Sequence, residues 1–223
     1  MSTLKTTNLQ HPSAGVPAIV LDADGDATYA GVHDFSAATV TGVPQGLVLV
    51  TPTSIANTGG SASVSGGAVT FTGVTSISLN GVFTSDYENY RIIIPITSTS
   101  SVYQLVFLRL RVAGSDITTS TYDYVQHYQN SSNVTGSTGG NSQTAWRIGY
   151  TGTAQRVASV LDVLSPATTN RSRYINLATY IDSLPQQEQE SGQQTNTSAQ
   201  DGFSFYAGSG TITGTVRVYG YQD

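Results

Sequence analysis

Alternating apolar and polar positions run through most of the chain after residue 82, and they predict a series of β-strands. The clearest is Val102–Val112, where Val106, Leu108 and Leu110 fall on one face and Arg111 falls on the other. Side chains of a strand point alternately to its two faces, so a period of two is typical of a strand with one face in a core. The other strands predicted in this region are Tyr90–Ile96, Tyr122–Gln129, Thr144–Thr151, Gln155–Leu164, Arg173–Ile181, Gly202–Ala207 and Thr211–Tyr221.

Polar segments separate these strands, and two of them, Asn130–Gln143 and Pro185–Asp201, are long enough to predict extended loops. Pro95 lies inside a predicted strand and indicates an edge position or a bulge, because proline cannot donate a backbone hydrogen bond. No segment shows the period of an amphipathic helix. Many short strands without helices favour an all-β fold, and we expect an antiparallel, jelly-roll-like β-sandwich over residues 82–223.

The first third of the chain has a different texture. Residues 1–44 contain one strand-like run, Val16–Leu21, and too few apolar positions for a core of their own, so they need neighbours. Residues 45–81 combine short apolar runs with the Gly/Ser/Thr-rich stretch Asn57–Gly67, which is typical of a linker, a loop or a thin shaft. We therefore predict an extended anchor over 1–44, a connector or short β shaft over 45–81, and a head over 82–223.

The amino-acid composition argues against several classes of function. Charged residues make up 10% of the chain, against about 25% in typical globular proteins, and the formal net charge is −5. Lys5 is the only lysine, so we expect no nucleic-acid partner. The absence of cysteine excludes disulfides and thiolate metal sites. No apolar run reaches about 18 residues and the segment after Met1 is polar, so we expect neither membrane insertion nor a signal peptide.

Several short strings, taken in order, resemble bacteriophage fibre and other virion structural proteins. The resemblance covers most of the chain. The strings that carry it are Thr3–Gln10 (TLKTTNLQ), Pro17–Gly25 (PAIVLDADG), Asp34–Pro44 (DFSAATVTGVP), Phe83–Ile94 (FTSDYENYRIII), Leu108–Val112 (LRLRV) and Ile212–Tyr221 (ITGTVRVYGY). The first two are similar to fibre attachment segments, the third to the connector that follows them, and the rest to a distal β-sandwich.

The resemblance implies a protein on the surface of a phage particle that assembles as a homotrimer and attaches to other virion proteins through its N-terminus. The apolar residues expected to make that attachment are Leu4, Leu9, Val16, Ile19 and Leu21. The head then faces solvent, and its expected role is adhesion to a host-surface glycan or protein. The alternative is a capsid head fibre or decoration protein with a purely architectural role.

Aromatic residues are concentrated in the predicted head, which contains 12 of the 13 tyrosines and the only tryptophan. Tyrosine presents a rigid amphipathic face that suits sugars and proteins alike. Loops carry recognition more often than strands. We take as candidate binding residues Tyr122, Tyr124, Tyr128, Asn130, Asn133 and Asn141. The alternative is that the tyrosines occur there because tyrosine is favoured in strands, with several of them packed between subunits, and we prefer this alternative for Trp146, Tyr174 and Tyr180.

The pattern Asp22, Asp24 and Asp26 suggests a calcium loop, but the twelfth position holds His33 where such a loop has a bidentate glutamate. A hairpin turn explains the segment more simply. No closely spaced histidine pair occurs. We therefore expect no metal and no cofactor.

Catalysis by paired carboxylates also finds little support in the sequence. The only glutamates are Glu88, Glu188 and Glu190, and the last two fall in the predicted loop after residue 185. A glycosidase needs two carboxylates facing each other across a sugar, and a pair such as Asp123 and Asp162 would do so only by tertiary coincidence. We expect the protein not to be an enzyme.

Overall fold

The computed structural model describes residues 8–9, 19–21, 27–29, 46–100, 104–151, 157–181 and 185–222. Every regular element within these ranges is a β-strand, and every strand pairing is antiparallel, which confirms the all-β, antiparallel part of the predicted fold class. In this part of the chain no helix is long and apolar enough to cross a membrane. The chain divides into two compact units, residues 1–44 and 45–223, at the boundary predicted for the anchor.

The first unit contains a small antiparallel sheet of three strands. They are β1 (Asn8–Leu9), β2 (Ile19–Leu21) and β3 (Ala27–Tyr29), paired in that order. Leu9 lies opposite Ile19, and Leu21 opposite Ala27, so three of the proposed attachment residues sit in paired strands. The other two, Leu4 and Val16, and the aspartates of the calcium hypothesis (Asp22, Asp24 and Asp26) lie outside the described residues.

Within its described residues, the second unit contains sixteen strands. The first eight are β4 (Leu47–Val50), β5 (Ser54–Thr58), β6 (Ser61–Ser65), β7 (Ala68–Val74), β8 (Ser76–Asn80), β9 (Asn89–Thr99), β10 (Gln104–Val112) and β11 (Ser115–Asp116). The second eight are β12 (Tyr122–Asn130), β13 (Thr135–Gln143), β14 (Trp146–Thr151), β15 (Val157–Leu164), β16 (Ser172–Ile181), β17 (Pro185–Gln194), β18 (Gly202–Ala207) and β19 (Ile212–Tyr221).

These strands form two sheets that face each other as a β-sandwich. The ten-stranded sheet has the order β13-β12-β17-β16-β15-β9-β19-β7-β6, with β4 also paired to β19. The six-stranded sheet has the order β11-β10-β18-β8-β5, with β14 also paired to β10. Residues from both sheets belong to one hydrophobic cluster, for example Ile92 of β9 and Leu108 of β10. The sandwich thus follows from strands whose alternate positions are apolar.

Aromatic rings fill much of this core. Phe71 and Phe205 pack edge to face with ring centroids 5.4 Å apart, and Trp146 stacks on Tyr174 with centroids 4.4 Å apart. Trp146 and Tyr174 are at most 1% exposed, so their rings pack inside one chain and not between subunits. The prediction for the side chain of Tyr180 falls outside what the structure describes.

The stretch expected as a connector or short β shaft is part of the sandwich. Residues 46–80 supply β4 to β8, which are shared between the two sheets. Phe71 of β7 and Ile77 of β8 are fully buried in the common core. The sandwich therefore begins near residue 45. The Gly/Ser-rich segment Asn57–Gly67 is part of it, since this segment runs through β5, β6 and the turns beside them.

Two of the predicted loops are strands. The prediction for Asn130–Gln143 is wrong because it contains β13, an edge strand paired to β12. The prediction for Pro185–Asp201 is wrong because it contains β17, which lies between β12 and β16. Neither strand shows apolar alternation, since both of their faces are polar, and the pattern used for prediction depends on that alternation.

Pro95 indicated either an edge position or a bulge, and the structure shows the second of these. Strand β9 lies between β15 and β19 in the interior of the larger sheet, and the register of its pairing with β19 shifts between Thr213 and Gly214, next to Pro95. A Cβ on Gly214 would lie 2.3 Å from the carbonyl oxygen of Pro95, so only glycine fits at this close approach.

Candidate binding site

Strand β14 forms one wall of the site, and a bulge sets the direction of its side chains. Two consecutive residues of β10 lie opposite Gly149 and Arg147, so Ile148 is the extra residue. Gly149 has a φ of 141°, a conformation that favours glycine. Arg147 and Tyr150 consequently meet, with the guanidinium carbon 4.0 Å from the centre of the tyrosine ring.

The ten-stranded sheet supplies polar side chains that satisfy the backbone of β14. The carbonyl oxygen of Ile148 accepts hydrogen bonds from Ser159 Oγ at 2.6 Å and from Asn176 Nδ2 at 3.2 Å. Tyr174 Oη donates to the carbonyl oxygen of Arg147 at 3.3 Å. Buried backbone groups need such partners, and this need explains why the interior beneath β14 contains polar residues.

More polar side chains lie in register on the inward face of the ten-stranded sheet. Glu190 of β17 lies opposite Gln126 of β12 on one side and Asn176 of β16 on the other. Two residues earlier on β17, Glu188 lies opposite Tyr128 of β12. Gln126, Asn176 and both glutamates are at most 2% exposed. The interior is therefore polar where β12, β16 and β17 run side by side.

Arg147 is the cation at the centre of this region. Its Nη2 lies 3.3 Å from Glu188 Oε1, and its Nε lies 3.6 Å from Glu190 Oε1. Asn176 Nδ2 donates to Glu190 Oε2 at 2.7 Å. One buried arginine thus faces two buried carboxyl groups, an arrangement in which charge balance depends on protonation.

Burial changes the protonation of both glutamates. The pKa of Glu190 is raised to about 8, chiefly by desolvation and also by the neighbouring carboxylate of Glu188, against the opposing effects of the Asn176 hydrogen bond and Arg147. Desolvation also raises the pKa of Glu188, while Arg147 counteracts part of that rise. Glu190 is thus the carboxyl group that favours its protonated form at neutral pH, and Glu188 is the one that pairs with Arg147 Nη2.

A cavity of about 550 Å³ opens onto this cluster, and we call it the polar cleft. It is bounded by β12, β13 and β17 of the larger sheet and by β14 of the smaller one. Its lining includes Gln126, Tyr128, Thr138, Arg147, Tyr150 and Glu188. Most of the lining groups can form hydrogen bonds, and two of them are tyrosine rings.

Several buried polar atoms around the polar cleft have no hydrogen-bond partner among the described residues. They include both amide atoms of Gln126, Arg147 Nε and Glu188 Oε2. Deeper in the interior, Glu190 Oε1 and Asn176 Oδ1 share this property. A buried donor or acceptor without a partner costs about 1–3 kcal/mol, so these groups favour water or a ligand that supplies the missing bonds.

Glycines of β13 leave room for the rings of two tyrosines of the neighbouring strand β12. A Cβ on Gly136 would approach the ring of Tyr128 to 2.3 Å, and one on Gly140 would approach Tyr124 Cε1 to 2.9 Å. Each ring therefore lies flat across a glycine of the neighbouring strand. The glycine-rich composition of β13 creates the space that these rings occupy.

The outward face of the same sheet has a second depression, which we call the outer groove, with a volume of about 410 Å³. It is lined by Asp123, Val125, Asn141, Arg173, Ile175 and Gln193 among others. Val125 and Ile175 are each 57% exposed, which is unusual for such side chains. Hydrogen bonds from the backbone N–H of Ser142 and from Gln193 lower the pKa of Asp123, so this groove has an ionised carboxylate.

The predicted tyrosines separate into different environments. Tyr122 is fully buried, where its Oη accepts a hydrogen bond from the Leu110 N–H and donates one to the Ile117 carbonyl, both at 3.0 Å. It therefore has no surface with which to touch a ligand. Tyr124 is half-buried and borders the outer groove, and Tyr128 is half-buried and lines the polar cleft.

The three asparagines predicted as binding residues also lie in different environments. Asn130 Oδ1 accepts hydrogen bonds from the N–H groups of Ser132 and Val134, both at 3.0 Å, so its side chain shapes the turn between β12 and β13. Asn133 lies in that turn with a φ of 59°. Asn141 is exposed and borders the outer groove. Only Tyr128 of the six candidates lines the polar cleft.

Gln126, Arg147 and Glu188 were missed as site residues. Gln126 alternates with tyrosines along β12 and so shares their face of the strand. That pattern could have indicated an inward position for Gln126. Glu188 and Glu190 are two of only three glutamates and are spaced by two, a pattern that also fits a strand. Their burial depends on β14 lying over them, and no local pattern indicates that.

Protein-family models, curated proteins and solved structures were all compared with the chain. None of them matches it. Within the described ranges, no three His, Asp or Glu side chains are grouped so that they could hold a metal ion.

Proposed function

We propose that this protein is a non-enzymatic structural component of a bacteriophage particle, a short fibre whose sandwich adheres to the host surface. The division into a small first unit and a large sandwich fits an anchor followed by a head. The low charge of the chain suits a particle exterior, since only 10% of its residues are Asp, Glu, Lys or Arg.

The observation that carries the adhesive role is the polar cleft. A capsid decoration protein or head fibre needs only contacts to its neighbours, and a featureless polar head would suit it. The sandwich instead has a concave surface with Tyr128 and Tyr150, amide groups and buried polar atoms whose hydrogen bonds are unmet by the described protein. Concave sites with a few convergent polar groups are the usual form of ligand pockets.

The arrangement of carboxyl groups supports binding without catalysis. Glu188 and Glu190 lie two positions apart on one strand and face the same arginine. Of the two, only Glu188 lines the polar cleft. Glycoside hydrolysis needs a carboxyl group on each side of the scissile bond, and this pair does not flank a common space.

We also propose that the protein is a homotrimer anchored through its first unit. The strands of that unit have two, three and three residues, and so small a sheet is marginally stable without further contacts. Light scattering on the purified chain is expected to give three times the 23.4 kDa chain mass. A stable monomer with protected amides in β1 to β3 would contradict the trimer.

Anchoring and adhesion can be separated on particles. Deletion of residues 1–44 is expected to abolish incorporation into the particle while leaving the sandwich folded. Crosslinks from other virion proteins should fall in residues 1–44. Crosslinks that fall mainly in residues 82–223 would contradict this polarity.

Adhesion is tested with the full chain displayed at high density on beads, which are then mixed with host bacteria. We expect attachment, and we expect Tyr128→Ala to reduce it because that ring lines the polar cleft. Thr179→Tyr is the matched control, since Thr179 is exposed on the outward face. Undetectable attachment of the wild-type chain would contradict adhesion and favour the decoration role.

A further inference from the structure

We propose that the polar cleft binds a single uncharged sugar residue through its hydroxyl groups. This inference rests on the proposed adhesive function and specifies its ligand class. It is carried by three properties of the cleft: its charge balance, its unmet hydrogen bonds and its shape.

The charge balance excludes strongly charged ligands. Arg147 pairs with Glu188 at 3.3 Å, so the cation and the anion that line the cleft neutralise each other. A free anion would be repelled by the Glu188 carboxylate, and a free cation by the Arg147 guanidinium. Glu190, which lies behind them, is neutral at pH 7 because burial raises its pKa to about 8. A neutral ligand therefore suits the site best.

The unmet hydrogen bonds specify a ligand that both donates and accepts. The amide N–H₂ and amide oxygen of Gln126 and the Oε2 of Glu188 make no hydrogen bond of ordinary length and geometry within the described residues. Arg147 Nε has only the ion pair with Glu190 Oε1 at 3.6 Å. A hydroxyl group both donates and accepts, and adjacent hydroxyls on one ring match closely spaced donors and acceptors. A sugar hydroxyl that enters the cleft and reaches these buried atoms can supply the missing bonds without leaving a group of its own unpaired.

The shape of the cleft fits a single ring. Its volume of about 550 Å³ lies within the usual range of small-ligand sites, roughly 300–1,000 Å³. The rings of Tyr128 and Tyr150 contribute flat amphipathic walls, against which the C–H face of a sugar can pack. Thr138 stands on the exposed edge strand beside the opening.

The test is a titration of the full chain followed by NMR, with D-glucose, D-galactose, D-mannose and N-acetyl-D-glucosamine as probes. At least one is expected to bind saturably with a Kd on the order of 1 mM, as a ligand of this size allows. The charged analogues D-glucuronate and D-glucosamine should bind at least roughly tenfold more weakly.

Thr138→Tyr tests the location of binding without touching the interior. Tyrosine is well accepted in strands, and this position is exposed, so the fold is expected to persist. The larger side chain obstructs the opening and should weaken binding about tenfold or more. Thr179→Tyr makes the same chemical change on the outward face of the same sheet and should leave the Kd within about twofold.

A glutamate outside the cleft gives a second, independent contrast. Glu188→Gln removes a cleft acceptor and should weaken binding about tenfold, whereas Glu88→Gln makes the same change at an exposed position that does not line the cleft and should leave the Kd within about twofold. Urea unfolding of each variant checks that it is folded at the temperature of the titration. Because Thr138→Tyr does not depend on the buried cluster, it decides the matter if Glu188→Gln does not fold.

The proposal is overturned if none of the four neutral sugars saturates below about 50 mM, a concentration well above the expected Kd. It is also overturned if Thr138→Tyr binds them as the wild type does. Failure of this inference and failure of the adhesive function are distinguishable. Beads that attach to bacteria without competition from any probe contradict the sugar site alone, whereas sugar binding without attachment contradicts adhesion alone.

Discussion

The interior of the sandwich has two halves that differ in chemistry. Around β7, β8 and β18, rings such as Phe71 and Phe205 pack in an apolar core with full burial. Beneath β14, the same depth of burial is occupied by Arg147, Glu188 and Glu190. The apolar half gains its stability from area removed from water, whereas the polar half depends on pairing that is incomplete. Stability is thus concentrated in one half and binding chemistry in the other.

The largest expected effect comes from the apolar half. Phe205→Ala removes a fully buried ring that packs against Phe71, and it should lower the free energy of unfolding by about 3–5 kcal/mol. Urea denaturation followed by tryptophan fluorescence measures this change. Val125→Ala, at a position that is 57% exposed, is the control and should change stability little. An equal cost for both variants would show that the core does not lie between the sheets.

The second largest loss of stability is expected when the polar half loses its cation, Arg147. Arg147→Met leaves a buried carboxylate without its partner, and at pH 8 it should cost about 3 kcal/mol. The cost should fall at pH 5, because the carboxyl groups can then become neutral. Arg91→Met is the matched control: Arg91 pairs with Asp162 at 2.8 Å on the partly exposed outward face, and such pairs contribute about 1 kcal/mol or less. Equal costs at pH 8 would contradict the contrast.

The third effect is a pH dependence of stability. The pKa of Glu190 is raised from 4.5 to about 8, so the folded state holds a proton that the unfolded state releases in that window. Stability from this group is complete below pH 4.5 and is lost as the pH rises towards 8. The free energy of unfolding should therefore fall by up to about 1.4 kcal/mol per pH unit between pH 5 and 8.

Glu190→Gln should remove most of that slope, because the amide is neutral at every pH. Glu88→Gln, at an exposed position, should keep it. Some slope will remain in Glu190→Gln because the pKa of Glu188 is raised as well. Identical slopes in wild type and Glu190→Gln would show that Glu190 is not neutral in the folded protein.

The smallest effect concerns the outward face. Ile175→Thr replaces an apolar side chain that is 57% exposed in the structure, and it should change the free energy of unfolding of the monomeric chain by less than about 0.5 kcal/mol. The measurement is made at low protein concentration, where copies are separate. A larger loss that grows with protein concentration would show that this face is covered by another copy.

Sequence reasoning was most successful where one face of a strand is apolar. Alternation at Val106, Leu108 and Leu110 predicted β10 and its inward face, and the same pattern predicted β15 and β19. It failed for β13 and β17, where both faces are polar and no contrast marks the inward side. The candidate tyrosines were placed on the correct strand, but burial divided Tyr122 from Tyr128 in a way that their spacing did not indicate.

What the amino-acid sequence determined by itself is the all-β class, most of the strands and the inward faces of those with apolar alternation, such as β10, because burying alternate apolar side chains leaves few other arrangements. It did not determine that β7 and β8 join the core of the sandwich. The polar half was decided only by tertiary structure. Glu188, Glu190 and Gln126 are buried because β14 lies over the strands that contain them, and Arg147 faces them because of the bulge at Ile148. Polar residues are compatible with water or with burial beside partners, and only the packing of two sheets selects between these states.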